Sequence, residues 1–569
     1  MSSGRRQSSA AAAAPPSARQ KKRLIVCCDG TWMNSDKGWE KGKPQPPSNV
    51  TRLARSFNRG CSDGSVQVIN YQSGVGTGST MADAFSGGAF GNGVAEHIRE
   101  SYAFICGNYV DGDEIILIGF SRGAFTARSI AGIIGSLGLL TREGMEFFYP
   151  IFKDMQNWQT KNYKDPYPGV PFENKPRGEN AAEDYRRVLI EKGLTRVFEG
   201  GGSGKLITIK AVAVFDTVGS LGVPSIAWMK KLGIDHTTSE LRFYDTKLSD
   251  RIQNAFQALA LDEPRPPFSP SIWERPASNK GVTNLKQVWF PGNHGNVGGG
   301  WPDQGIANMT MAWMMDQLVS MGVEFDSGSL RRALADTERY YRDHPSAAAL
   351  PTKEAPKAKG KPPKIIAMAT RVVPDSLKAS AAKVSKVTPP TFYKWAVDPI
   401  LEGNHPLRPW STGAILRAHS PMYTLAGTIT RSPGMYHKLN SYNGKELPEY
   451  LEDTGEQVHP SVRIRLAIKG LGYDDKKQWN AAALTNADWE LAKKTDGSWV
   501  WVYEGKEDLP KKILEESELG NYEKKMLDLA GGFPDILEFV DNMTLEEFQD
   551  ITRRKTSVIP VPVEPSNTS

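Results

Sequence analysis

Asp113-Glu-Ile-Ile-Leu-Ile-Gly-Phe-Ser-Arg-Gly-Ala124 is the stretch on which the fold turns. The four consecutive apolar residues Ile115 to Ile118 predict a strand buried on both faces, as in a parallel sheet covered on each side by helices. Ser121 to Leu140 then reads as a helix. Gly119-Phe-Ser-Arg-Gly123 therefore sits in a strand-to-helix turn, the setting of a nucleophile elbow, where a strained turn lifts a serine hydroxyl above the sheet edge. Glycines at 119 and 123, and Ala124, remove side chains that would collide with neighbouring backbone in so sharp a turn. A helix N-terminus beneath Ser121 favours developing negative charge. As a bare string the motif is weak, and a Gly-Ser turn between core elements is the competing reading; the flanking strand and helix carry the inference.

The same rhythm extends in both directions. Arg23-Leu-Ile-Val-Cys-Cys28 reads as a buried strand ending at Asp29-Gly30-Thr31-Trp32, and Ser65 to Tyr71 as a strand running into Gly74-Val-Gly-Thr-Gly78. A helix is predicted from Gly93 to Tyr109, and further strands over Leu206 to Phe215 and Leu285 to Phe290. Strand, helix, strand in this order predicts an α/β fold whose mostly parallel sheet is flanked by helices.

A serine hydroxyl is a weak nucleophile until a base takes its proton and a third group holds that base in the right tautomer. The expected chain order behind such an elbow is Ser, acid, His. Asp216 ends the apolar run Ala211-Val-Ala-Val-Phe215 and so reaches the C-terminal edge of the sheet, where α/β folds meet their ligands. His294 follows Val288-Trp-Phe-Pro291 in the glycine-rich Gly292-Asn-His-Gly-Asn-Val-Gly-Gly-Gly300, a loop able to turn an imidazole back across the sheet. His236 is the competing base, and a capping role is the competing reading of Asp216. For the oxyanion, the candidate donors are the backbone amide of Arg122 and those of Gly30 and Thr31 after the first strand. No HExxH or paired Cys/His spacing occurs, so neither a metal nor a cofactor is expected.

Taken together, Cys28-Asp-Gly-Thr-Trp32, Gly74-Val-Gly-Thr77, Gly119-Phe-Ser-Arg-Gly-Ala124, Phe215-Asp-Thr-Val218 and Trp289-Phe-Pro-Gly-Asn-His-Gly-Asn-Val-Gly-Gly299 resemble an uncharacterised α/β-hydrolase family related to type VI secretion phospholipase effectors. The resemblance covers about residues 22 to 320. It implies that Ser121 is the nucleophile, Asp216 the acid and His294 the base, and that the substrate is a lipid or phospholipid ester. The sequence departs from the family pattern at Asn296, where members commonly carry an acidic residue. A small-molecule carboxylesterase or thioesterase on the same triad is the alternative activity. A noncatalytic binding protein that kept the fold is the alternative class.

At roughly 150 residues per domain, 569 residues allow a large core and more than one unit, and 39% hydrophobic with 24% charged residues excludes a wholly disordered chain. The formal charge of +6 sits in two segments: residues 1–23 hold Arg5, Arg6, Arg19, Lys21, Lys22 and Arg23 with no acid, and residues 352–388 hold nine Lys or Arg against Glu354 and Asp375. The expected organisation is a disordered basic leader (1–22), the catalytic domain (23–342), a basic linker or insertion (343–390), an accessory or cap lobe (391–540), and a short helix with a disordered tail (541–569). Thr544-Leu-Glu-Glu547 gives that helix a capping-box start. The stretch 352–388 offers a peripheral contact to anionic membrane, with a solvated insertion as the plain alternative. Its lysines are not interleaved with aromatics, so no nucleic acid is expected. The cysteines at 27, 28, 61 and 106 form no CxxC, which suits reduced thiols and a cytoplasmic setting. The acid-free Arg/Ser/Ala opening gives a mitochondrial presequence as the alternative. Nothing in the sequence sets the oligomeric state.

Overall fold

A computed structural model describes residues 19–30, 39–40, 43–74, 88–202, 204–218, 248–344, 411–417, 427–440, 446–467, 470–530, 538, 541–552 and 556–560. Thr31, His236, most of Gly74–Gly78 and the basic stretch 352–388 lie outside the described residues.

Seven strands form the central sheet: β1 (Lys22–Cys28), β2 (Val66–Gln72), β3 (Glu114–Phe120), β4 (Ala211–Phe215), β5 (Asn254–Ala260), β6 (Asn284–Phe290) and β7 (Glu456–Val458), in spatial order β2-β1-β3-β4-β5-β6-β7. Every neighbouring pair in it is parallel. The order reverses between β1 and β3, and ligands of open α/β sheets bind outside the strand ends at such a switch point.

Alternation along the strands splits the core in two. Ile25, Cys27, Ile116, Ile118, Phe120, Ala213 and Phe215 pack on one face, with residues of α1 (Asn49–Ala54) and of the helix Gly305–Val319. Leu24, Val26, Cys28, Ile115, Leu117, Val212 and Val214 pack on the other, against α2 (Gly88–Asn108) and α3 (Arg122–Leu137). A side-chain period of two on strands buried from both sides produces this division.

The ends of the sheet-bearing unit differ from expectation in two places. Arg19 Nη1 lies 2.9 Å from Asp113 Oδ1, and the Lys22 amide donates to the same carboxylate, so residues 19–22 belong to the fold rather than to a leader. At the other edge, β7 comes from the segment expected in the accessory lobe and pairs with β6 through Trp289↔Val458 and its neighbours. The C-terminal region also has its own four-stranded sheet, built from β8 (Trp489–Lys494), β9 (Trp499–Tyr503), β10 (Ile513–Glu515) and β11 (Thr556–Ile559). Trp489, Leu491 and Trp501 of that sheet share one buried cluster with Val288 and Phe290 of β6. The lobe is thus welded to the sheet by a paired strand and a common core. The capping box at Thr544 is present, its hydroxyl receiving the Glu547 amide at 3.2 Å and the Glu547 carboxylate receiving the Thr544 amide at 3.0 Å. Among the described residues no helix is long and apolar enough to cross a membrane.

Candidate active site

Ser121 stands between β3 and α3 with φ 58° and ψ −121°, a left-handed conformation that costs a side-chain-bearing residue roughly 1–3 kcal/mol. Neighbouring backbone enforces it. The Ser121 amide donates to the Phe215 carbonyl of β4 at 3.1 Å, which leaves the side chain at the sheet's edge. A Cβ on Gly123 would lie 2.1 Å from the Cys28 carbonyl oxygen, and one on Gly119 would lie 2.5 Å from that of Gly123. Only glycine lets α3 start this close to β1. Gly123→Ala is therefore expected to cost at least about 1–3 kcal/mol, the range for overpacking, read as a lowered urea midpoint; an unchanged midpoint would contradict the tight turn.

Asp216 follows β4, one register step beyond the Phe120↔Phe215 pair, and is buried at φ 40°. Its Oδ2 lies 2.6 Å from His294 Nδ1, and its Oδ1 accepts the Ala260 amide at 3.0 Å. His294 begins α4 (His294–Gly298), a short helix rather than the open glycine loop that the sequence suggests. The backbone amide of His294 donates to Glu263 Oε2 at 3.2 Å, and its ring lies between Phe120 at 4.6 Å and the edge-on Phe268 at 4.9 Å.

Because Asp216 can only accept, the imidazole proton is assigned to Nδ1, which leaves Nε2 as the basic lone pair. Nε2 is buried and has no hydrogen-bond partner among the described residues. The structure thus joins acid and base directly. Ser121 directly follows Phe120, whose ring packs on His294 at 4.6 Å, and its hydroxyl makes no bond to Nε2. Such contacts often tighten only when substrate is present.

The electrostatics suit a neutral base. Burial alone would raise the Asp216 carboxyl, but the adjacent Arg431 guanidinium, aided by His294, holds it well below the usual carboxylate range. Burial lowers the His294 pKa, against the opposing pull of Asp216.

Arg431 was not foreseen. It is fully buried, with Nη1 donating to Asp216 Oδ1 at 2.5 Å and Nη2 to Asp216 Oδ2 at 3.0 Å. It lies in Thr428-Ile-Thr-Arg-Ser-Pro433, which has no motif or periodicity to mark it.

The oxyanion candidates divide. Arg122 opens the 16-residue α3, whose first-turn amides point out of the helix toward Ser121. Gly30 is also close, since a Cβ there would meet Phe120 at 2.8 Å and Ser121 Cβ at 3.4 Å. Its amide, however, donates to Asp29 Oδ1 at 2.7 Å. Asp29 is itself fixed, Oδ2 accepting from Ser48, Thr51 and Tyr71 at 2.8, 2.6 and 2.7 Å.

Asn296 has a structural explanation. It is the third helical residue of a capping box: its Oδ1 accepts the Asn293 amide at 3.1 Å, and its own amide donates to Asn293 Oδ1 at 3.2 Å. Its Nδ2 donates to the Ala414 carbonyl at 2.9 Å, a bond an aspartate could not make. A second Ser, His and acid set, Ser461, His459 and Glu523, also escaped the sequence reading. Its ring nitrogens lie 2.7 Å from Ser461 Oγ and 2.7 Å from Glu523 Oε1. All three residues are buried in the core, with His459 stacked on Phe290 at 4.4 Å, so the set serves packing rather than chemistry. Among the described residues no group of His, Cys, Asp or Glu is arranged to hold a metal ion.

Comparison with known proteins gives the following likenesses. Residues 22–317 match the family model described as T6SS, Phospholipase effector Tle1-like, catalytic domain. The Uncharacterized protein YEL023C of Saccharomyces cerevisiae is 21% identical, over 50% of this chain and 56% of that protein, so the chain spans little more than half the length of this relative. Among solved structures, the Tle1 effector bound to the VgrG spike from the Type 6 secretion system has 17% identity and a TM-score of 0.25, covering 51% of this chain and 52% of that one. An uncharacterized protein from Pseudomonas aeruginosa has 13% identity and a TM-score of 0.31, covering 72% of this chain and 61% of the other. With more than half of its residues matched by that one model, from the first strand of the sheet to the helix beyond His294, the chain belongs to the Tle1-like phospholipase effector catalytic-domain family.

Proposed function

We propose that the protein is a serine hydrolase acting on a lipid or phospholipid ester. The single observation that carries this reading is the 2.6 Å bond between Asp216 and His294 Nδ1, which leaves a bare, buried Nε2 beside the strained Ser121 turn. Family membership supports the lipid class of substrate. In the proposed reaction His294 Nε2 takes the Ser121 hydroxyl proton while the oxygen attacks the ester carbonyl. Asp216 holds the imidazole in the Nδ1–H tautomer and stabilises the imidazolium that forms. The resulting oxyanion is met by the Arg122 amide and the field at the start of α3. The Gly30 amide already serves Asp29 Oδ1, so it is not free to act as a second donor in this arrangement. His294 returns its proton to the departing alcohol, and water then releases the acyl group by the same path.

Because burial lowers the His294 pKa, the base stays neutral to more acidic pH than a free imidazole, whose pKa is about 6.5. Activity is lost as pH falls through the folded-state value, so the acid limb of kcat/KM is expected below about 6.5. An acid limb well above that value would contradict the buried neutral imidazole.

The test of the reading is labelling of the full chain by a fluorophosphonate probe, with the adduct mapped by mass spectrometry, alongside fatty-acid release from phosphatidylethanolamine and phosphatidylglycerol vesicles. Adduct on Ser121 and release from the vesicles are expected. A folded wild type that neither labels nor cleaves overturns the proposal; labelling with activity confined to short soluble esters or thioesters overturns its lipid half.

A further inference from the structure

The matched family domain ends at residue 317, yet the carboxylate of the candidate triad is held by a side chain from far beyond it. Arg431 donates through both terminal nitrogens to Asp216, and each also reaches a carbonyl: Nη1 that of Ala260 at 3.0 Å, and Nη2 that of Phe268 at 2.6 Å. Ala260 supplies the amide that caps Asp216 Oδ1, and Phe268 supplies the ring edge-on to His294. One guanidinium thus bonds the acid, the residue whose amide caps it and the residue whose ring walls the imidazole. The backbone carrying it is tied down on both sides. Ile429 donates to the Pro264 carbonyl, Trp489 of β8 donates to that of Pro433, and Gly434 donates to Glu456 of β7.

We propose that Arg431 is a positioning residue of the candidate site: it clamps Asp216, and through it His294, and makes the competence of that site depend on the seating of the C-terminal segment. This rests on the serine-hydrolase reading for its consequence in catalysis, but not for its consequence at the imidazole. A guanidinium suits the task because its planar fork matches both carboxylate oxygens and carries its charge at every working pH. Without it, a buried carboxylate whose only counter-charge is His294 would draw the proton onto the imidazole and favour the ion pair. The other titratable groups near this pair are Glu263 and Arg265 beside His294, with Tyr436, Glu263 and Asp262 near Arg431.

The experiment compares wild type, Arg431→Met and Arg431→Lys as full chains. The His294 ring is titrated by NMR, assigned by its loss in His294→Gln, and kcat and KM are measured with a fluorogenic ester. In Arg431→Met the His294 pKa is expected to rise by about one pH unit, and kcat to fall about 10–100-fold with KM nearly constant. Guanidinium chloride at millimolar concentration is expected to restore part of kcat in that variant, and Arg431→Lys to lie between it and wild type. A folded Arg431→Met with unchanged His294 titration overturns the proposal. So does a loss of kcat that is equal in the Lys variant and insensitive to guanidinium, which would mark a packing role alone. Should Arg431→Met not fold, the Lys variant decides: a raised His294 pKa supports the clamp, and a wild-type titration overturns it. Failure of fluorophosphonate labelling in wild type would remove the hydrolase reading while leaving the titration result intact.

Discussion

Replacing Ser121 by alanine is expected to lower kcat/KM for ester cleavage by a factor on the order of 10⁴ or more, leaving the residual rate that positioning and oxyanion binding supply on their own. The same change should leave the unfolding midpoint almost where it was. Alanine keeps the Cβ, and with it the strain of φ 58° and ψ −121°. Glycine separates chemistry from architecture. Ser121→Gly removes the nucleophile equally well, but it relaxes a backbone that stores about 1–3 kcal/mol, offset in part by the entropy a glycine adds to the unfolded chain. Its urea midpoint should therefore rise above that of Ser121→Ala. Two inactive variants, one more stable than the other, would identify the turn as strain retained for the hydroxyl. A Ser121→Ala protein with wild-type turnover would remove Ser121 from the mechanism.

Asp216→Asn is expected to cost about 10⁴ in kcat and, unlike the serine variants, several kcal/mol of stability. Donors converge on the native carboxylate from His294 Nδ1, the Ala260 amide and both ends of Arg431. An amide of the same shape has one accepting oxygen and one NH₂. If the oxygen faces His294, the NH₂ meets the Ala260 amide and Arg431 Nη1; if it faces those two, the NH₂ meets Arg431 Nη2 and forces His294 into the Nε2–H tautomer, which cannot accept the serine proton. Either way Arg431 loses its counter-ion inside the core, and breaking a buried pair by removing one partner costs roughly 3–5 kcal/mol. Adding Arg431→Met should recover much of that stability and none of the activity. Strict additivity of the two unfolding free energies would show that the residues are not coupled.

The strands whose side chains are dense in Ile, Leu and Val announced themselves, because burial from both sides leaves no polar alternation to confuse. β5 did not: Asn254-Ala-Phe-Gln-Ala-Leu-Ala260 is alanine-rich and reads equally well as helix. It forms a strand because β4 and β6 pair with it from either side. β7 is still less legible, three residues of which Glu456 and Gln457 are polar, set by pairing with a neighbour that no local pattern points to. The same division runs through the site. Ser121 and Asp216 end strands, and a strand end leaves a local trace; His294 follows another in a glycine-rich run. Arg431 leaves none, since its role arises only when a distant segment is laid across the site, and a solitary arginine in a loop resembles any solvent-exposed one. The α4 cap was legible in principle as Asn293 and Asn296 three residues apart, but that pairing lacks the Ser/Thr and Glu/Gln form by which such boxes are usually read.

The pairing of β6 with β7 has a consequence for how the molecule is born. At about 5–20 residues per second, a ribosome that has finished Phe290 needs roughly ten to thirty seconds to reach Val458, and during that time the last long strand presents an open margin. A nascent chain in that interval carries a row of unpaired backbone groups along one flank, a template for pairing with another chain. The guanidinium that holds Asp216 emerges with the same later stretch, so the candidate triad has its full set of supports only after residue 431 has been made.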